Sequence, residues 1–230
     1  MNDFTQIQLR TFKSFLGFSL ITLIFAIIFI NSNSQKYRIS QIDINFSNNL
    51  DFSSIDTLYG SSIWFVDENS FENIYIDNPE IKNLSITKKL PNNLTLSVQL
   101  YEELTNITDS RSSTNKVIIL YENTYTIATE KVREELPNIE IINGPVGDGF
   151  NGELISFFKT LNKYDYRKNS LRLVYDGAIL EAYYDKATYV LGEASDLGRK
   201  ASVVGAYLIE SKCDGVIRFI TPESTIEDCT

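Results

Sequence analysis

The apolar residues of this chain fall first into one long uninterrupted run. No residue from Ser14 to Gln35 is charged, and the segment Phe15–Ile30 is almost wholly apolar. A helix needs about 20 such residues to cross a bilayer. We therefore predict a transmembrane signal anchor at residues 14–35, preceded by a short cytoplasmic tail at residues 1–13. The alternative is a signal peptide that is cleaved, although Ser32-Asn33-Ser34 is a poor cleavage site.

Shorter patterns of strand and helix type follow the apolar run. Apolar residues at a period of two predict a strand over Ile39–Ser47. Two short helices are predicted next, one beginning at the capping residue Asp51 and one ending before Pro79. Two further strands flank a turn at Pro91-Asn92-Asn93, residue types that favour tight turns. This β-α-α-β-β order predicts one small domain over residues 37–104.

The remainder of the chain shows mainly strand patterns. Residues 105–115 are polar and lack periodicity, which predicts a linker or loop. Residues 116–230 contain several strand-like runs, among them a hairpin that turns at Asp176-Gly177. Two segments, GELISFFKTLNKY and SDLGRKASVVGAYLIESK, space their apolar residues as helices do. We predict an α+β fold class, with an antiparallel sheet backed by helices in this second domain.

Composition excludes several classes of function. The 230-residue chain carries a formal net charge of −9, and a surface of that sign repels nucleic acid. It contains no histidine, so Ser-His-Asp and Cys-His catalytic systems and most zinc sites are excluded.

The two cysteines, Cys213 and Cys229, lie close to the end of the chain. Their midpoint in sequence falls beside Pro222, so a hairpin that turns at TPES would bring them opposite one another. In an oxidising compartment this spacing predicts a disulfide. The alternative is a pair of free thiols.

Several stretches resemble one known family of bacterial proteins. They are ISQIDINFSNN, GSSIWFVDENSFENIYIDNPEIKNLSITKKLPNNLTLSVQLYEE, YVLGEASDLGRKASVVGAYLI and GVIRF. In that order they resemble the FtsQ/DivIB cell-division family, which has a POTRA domain followed by a β domain. The resemblance covers nearly the whole chain. Val216 departs from it, because the family often has an acidic residue at that position of the closing strand.

The resemblance implies a single-pass protein of the cytoplasmic membrane, with its N-terminus in the cytoplasm and its other domains outside. Such a protein is a non-enzymatic scaffold of the division complex, or divisome, with no cofactor and no small-molecule substrate. It links early components of the complex to septal peptidoglycan synthesis during septum formation. The implied partners are FtsB/DivIC-like and FtsL-like division proteins, bound by strand addition at an exposed sheet edge of the second domain.

The terminal strand and the segment after it are therefore the candidate partner-binding edge. Alternation predicts that Val216, Arg218 and Ile220 share one face, with Ile217 and Phe219 on the other. The candidate binding residues are Val216, Arg218, Phe219, Ile220, Thr225 and Ile226.

Other interpretations of the same sequence stay open. The terminal segment could be an ordinary strand with a frayed tail. The whole chain could be an anchored cell-wall glycan enzyme that uses paired carboxylates, or a POTRA-bearing export or assembly component.

Overall fold

A computed structural model describes the chain at residues 2–46, 50–112, 116–164, 170–210 and 213–229. Residue 1 of the predicted tail, Ser47 of the first predicted strand and residues 113–115 of the predicted linker lie outside these ranges. The chain divides into unit 1, Met1–Leu100, and unit 2, Tyr101–Thr230.

Unit 1 opens with helix α1, Asn2–Ser32. Within the described part of the chain, no helix is both long and apolar enough to cross a membrane. The apolar segment Phe15–Ile30 of α1 extends for about 24 Å at 1.5 Å per residue, whereas the bilayer core is about 30 Å thick. The predicted transmembrane anchor at residues 14–35 was therefore wrong.

The rest of unit 1 contains a three-stranded sheet with two helical segments. Its strands are β1 Gln41–Asn45, β2 Ile81–Lys89 and β3 Asn93–Leu100. Strand β3 is central, parallel to β1 and antiparallel to β2. The helical segments are a 3-10 helix at Ser53–Leu58, and a 3-10 turn at Glu68–Phe71 that continues into α2, Glu72–Asp77. This is the β-α-α-β-β order that the sequence indicates, with shorter helices.

Apolar burial explains why these short elements hold together. The leucines that alternate along β3, Leu94 and Leu96, are fully buried together with Phe71 and Ile74 of the second helical segment. A capping box begins that segment, since the Asp67 carboxylate accepts a hydrogen bond from the backbone N–H of Ser70 at 3.2 Å.

Unit 2 is built around one nine-stranded sheet with two helices. The helices are α3, Phe150–Leu161, and α4, Leu197–Glu210. The strands are β4 Glu103–Asp109, β5 Val117–Tyr121, β6 Thr126–Thr129, β7 Asn138–Ile141, β8 Arg172–Tyr175, β9 Leu180–Tyr184, β10 Ala187–Gly192, β11 Gly215–Thr221 and β12 Ser224–Cys229. Their order across the sheet is β12-β11-β10-β9-β8-β7-β4-β5-β6.

This sheet is mixed, so the predicted antiparallel sheet was wrong, although both helices and strands are present as the α+β prediction requires. The pairs β4–β7, β7–β8 and β10–β11 are parallel, and the other neighbouring pairs are antiparallel. Parallel neighbours need a long crossover connection. Helix α3 lies in the crossover between β7 and β8, and α4 lies in the crossover between β10 and β11. The two predicted helices thus form the connections of parallel pairs.

The predicted linker at residues 105–115 differs from the structure, because residues 105–109 belong to strand β4. The polar residues of this strand are buried and satisfied. The Thr105 hydroxyl donates to the Pro137 carbonyl oxygen at 2.9 Å, and the Asn106 amide donates to the Arg133 carbonyl oxygen at 2.9 Å. Buried polar groups with partners of this kind are compatible with a central strand.

The core of unit 2 lies between the helices and one face of the sheet. Phe157 and Phe158 of α3 are buried there, with ring centroids 5.4 Å apart in an edge-to-face arrangement. Leu197, Ala201 and Val204 of α4 are fully buried in the same core. Ile217 of β11 also belongs to it, which fixes the position of the terminal strands.

Candidate functional site

The last two strands, β11 and β12, form the hairpin that the sequence predicts. The hairpin turns at Pro222 and Glu223, and Arg218 pairs with Ile226 across it. The strands approach closely at their open end, where a Cβ atom on Gly215 would lie 2.1 Å from the carbonyl oxygen of Asp228. Only glycine fits this position without a shift of the backbone.

A disulfide closes the open end of the hairpin. Cys213 and Cys229 are bonded, with Cα atoms 5.0 Å apart. The Cys213 side chain is buried beside the core of unit 2, and Cys229 is exposed. The predicted pairing is therefore present, and it links the end of the outermost strand to the segment that precedes β11.

The side chains of β11 alternate between two faces of the sheet, as its sequence indicates. Ile217 is fully buried, and Phe219 is half-buried against the same core. Val216 is half-buried, whereas Arg218 and Ile220 are exposed. Arg218 and Ile220 are thus available at the surface, and Phe219 contributes mainly to packing.

The side chains of β12 also divide between the two faces. The Thr225 hydroxyl lies 3.0 Å from the Tyr207 hydroxyl of α4, and Tyr207 also donates to the Glu227 carboxylate. Ile226, between these two residues, points the other way and is 56% exposed. The six candidate residues therefore do not form one surface, since Phe219 and Thr225 lie on the helix side of the sheet.

Strand β12 is the last strand at its end of the sheet. Within the described residues it pairs only with β11, so its outer backbone edge has no strand partner. A row of N–H and C=O groups along such an edge is a template for strand addition. Ile226 lies on this outermost strand and is 56% exposed, and Ile220 lies on the neighbouring strand β11 and is 64% exposed. The geometry suits the binding of an extended segment of another chain.

Two features that support the hairpin were not predicted from the sequence. One is the parallel pairing of β11 with β10, in which Tyr189 lies opposite Ile217. Burial raises the pKa of the Tyr189 hydroxyl to about 12. The other is Tyr207, whose ring centroid lies 6.2 Å from that of Tyr189. The helical spacing of α4 identified its apolar face but gave no sign of a hydroxyl that contacts the last strand.

The paired acids Glu102 and Glu103, which bear on the glycan-enzyme alternative, have structural partners. Asn162 donates to the Glu102 carboxylate at 3.0 Å. Glu103 accepts a hydrogen bond from the Tyr121 hydroxyl at 2.9 Å and lies 3.6 Å from the Arg133 guanidinium. The contacts of Glu103 join β4 to β5 and to the segment before β7, and the contact of Glu102 joins the residue before β4 to the end of α3.

No cluster of three or more acidic or cysteine side chains suited to a metal ion occurs among the residues that the structure describes. Comparison with known proteins gives no further identification, since no protein-family model and no curated protein matches the chain. The resemblance to the FtsQ/DivIB family therefore stays a prediction from the residues.

Proposed function

We propose that this chain is a non-enzymatic scaffold of the bacterial division complex. In this proposal unit 1 corresponds to the POTRA domain of the FtsQ/DivIB family and unit 2 to its β domain. The protein works at the division septum, on the outer side of the cytoplasmic membrane, and binds FtsB/DivIC-like and FtsL-like partners. Through them it connects early division components to septal peptidoglycan synthesis.

The observation that carries this proposal is the outer edge of β12. The sheet ends there in a six-residue strand whose far side has no strand partner in the described part of the chain. A partner segment that adds alongside β12 gains backbone hydrogen bonds for affinity and contacts with alternate side chains for specificity.

Side-chain exposure along the hairpin supports the same mode of binding. Arg218 and Ile226 face each other across the hairpin on the side away from Tyr207, and both are exposed. An exposed apolar side chain next to a cation suits a partner strand that carries apolar and acidic residues. The disulfide supports the proposal further, because such bonds persist in oxidising compartments outside the cytoplasm.

Capture of the partner from membranes tests the proposal. Ile226→Asp places a charge against the added strand, and loss of a well-packed interface residue of this kind costs about 2 kcal/mol, or roughly 30-fold in affinity. The matched control is Val132→Asp, which changes a residue that is 44% exposed outside the strands. We expect the control to capture the FtsB/DivIC-like protein as the unchanged chain does.

Two results would contradict the proposal. One is undiminished capture by a folded Ile226→Asp protein. The other comes from a fluorescent fusion of the unchanged chain in dividing cells, where a uniform signal throughout the cycle, without accumulation at midcell, would argue against a division scaffold.

A further inference from the structure

Unit 1 carries an exposed aromatic surface at the end where β1 begins. Trp64 and Phe65, in the connection between the two helical segments, are 44% and 61% exposed. The Trp64 ring packs on Tyr37, with centroids 5.6 Å apart. Large aromatic side chains that are exposed together on a small domain indicate a binding surface for a protein, a membrane or a ligand.

This aromatic surface is continuous with the apolar residues of α1. The ring centroids of Phe29 and Phe65 lie 6.3 Å apart. Tyr37, Trp64, Ile28 and Asn31 line a shared groove of about 190 Å³. The large apolar side chains of α1 between Phe15 and Ile30 are themselves 48–72% exposed. The apolar surface therefore extends from the helix onto the folded part of unit 1.

Two cations contact this aromatic surface, and a third lies next to Tyr37 in the chain. The Lys36 ammonium lies 5.7 Å from the centroid of the Tyr37 ring. Arg38 is exposed and its backbone pairs with Ser62, two residues before Trp64. The Lys88 ammonium lies 3.5 Å from the carbonyl oxygen of Trp64.

This surface carries positive charge, whereas the whole chain has a formal net charge of −9. Hydrogen bonds from Gln41 and Asn93 lower the pKa of the Asp43 carboxyl group, and the nearby charge of the next lysine, Lys89, lowers it further. We therefore define the aromatic-basic patch without Lys89. Its members are Lys36, Tyr37, Arg38, Trp64, Phe65 and Lys88.

We propose that the aromatic-basic patch binds the headgroup region of an anionic lipid bilayer. Tryptophan and tyrosine favour the boundary between headgroups and acyl chains, and lysine or arginine beside them attracts anionic headgroups. A lipid surface can cover the patch and the adjoining apolar side chains of α1 at the same time. A protein partner would need a shape complementary to both surfaces. The proposal concerns contact with the bilayer surface and goes beyond partner binding at β12.

The chain contains its own reporter for this contact, because Trp64 is its single tryptophan. The experiment mixes the full chain with vesicles of phosphatidylglycerol and phosphatidylethanolamine, and in parallel with vesicles of phosphatidylcholine alone. With anionic vesicles we expect Trp64 emission to move to shorter wavelength and to be quenched by dibrominated lipid. Added salt reduces both effects, since the cations act through a screened surface potential.

Lys88→Gln tests the contribution of charge. One lysine near an anionic surface contributes about a factor of five to binding. The ratio of vesicle-bound to free protein, measured by Trp64 emission, should therefore fall about five-fold. The matched control is Lys82→Gln, an exposed lysine on the same strand, six residues and about 20 Å from Lys88. The control removes the same charge and should leave Trp64 quenching unchanged.

Two results would overturn the proposal. One is Trp64 emission that is the same with anionic vesicles, with neutral vesicles and without lipid, which would assign the patch to a protein partner instead. The other is an equal effect of Lys82→Gln and Lys88→Gln, which would reduce the patch to a general charge effect. Neither result bears on capture of a division protein by β12, so the two proposals fail separately.

Discussion

The two edges of the nine-stranded sheet are stabilised in different ways. At one edge, β6 lies over a cluster of buried side chains from β5 and the segment before β7: Ile119, Tyr121 and Leu136. At the other edge, β12 has only one half-buried side chain, that of Thr225. It is held by its pairing with β11, by the Cys213–Cys229 disulfide and by contacts to Tyr207.

This difference shows how an edge strand can stay ordered without a core beneath it. Covalent and hydrogen-bonded attachment leaves both the backbone row and the exposed side chains of β12 available. The charged residues Glu227 and Asp228 also limit unspecific pairing, as charges on edge strands commonly do. The β6 edge depends on apolar burial, so the two edges should respond to different perturbations.

The largest effect is expected at the β6 edge. Ile119→Ala removes a fully buried side chain and leaves a cavity, which should lower the free energy of unfolding by about 2–5 kcal/mol. Denaturant unfolding followed by far-UV circular dichroism measures it. The control Ile226→Ala truncates an exposed side chain at the opposite edge and should change stability by less than about 0.5 kcal/mol. Equal losses of stability from the two substitutions would contradict the conclusion that the two edges are stabilised in different ways.

Removal of the disulfide should have the next largest effect. The variant with Cys213→Ser and Cys229→Ser opens a loop with a sequence separation of 16 residues, and in the chain-entropy model this lowers stability by about 3 kcal/mol. A reducing agent should destabilise the unchanged protein by a similar amount and leave the double variant unaffected. Hydrogen exchange should accelerate in β12 and stay the same in β6. Equal acceleration at both edges would show that the disulfide supports the whole sheet.

The smallest effect is expected from Tyr207→Phe. This substitution removes the hydroxyl that contacts Thr225 and Glu227 while it keeps the ring, so we expect a loss of about 1 kcal/mol. Local hydrogen exchange of β12 amides reports the change. Tyr183→Phe is a useful control, since its hydroxyl contacts Glu181 on the same strand, β9. Faster exchange of β12 in that control would mean that the effect is not local.

Local patterns in the sequence predicted the hairpins of this molecule well. The turn between β2 and β3 contains Pro91 and Asn92 of the predicted Pro91-Asn92-Asn93 turn, whereas Asn93 begins β3. The buried leucines of β3 are among those that alternate in the sequence. Turn chemistry and cysteine spacing predicted the terminal hairpin, and they predicted its disulfide on the condition of an oxidising compartment. Such features depend on residues close together in the chain, which a single sequence contains.

The errors arose where distant segments decide the structure. Strand β4 looked like a linker because its polar residues find partners 27–32 residues away, at Arg133 and Pro137. The parallel pairs were missed because their pairing depends on how α3 and α4 connect the strands. In the candidate site, alternation placed Ile217 and Arg218 on the correct faces. It could not show that Thr225 lies beside Tyr207.

The buried amide of Asn106 has a consequence for production of the protein. Asn106, Ile107 and Thr108 match the acceptor pattern for N-linked glycosylation. The Asn106 side chain is fully buried, with its amide nitrogen bonded to the Arg133 carbonyl oxygen. A glycan on that nitrogen is bulky and cannot fit there. In a eukaryotic secretory host, any copy modified at Asn106 cannot form the native β4, and Thr108→Ala removes the acceptor pattern while it keeps the amide.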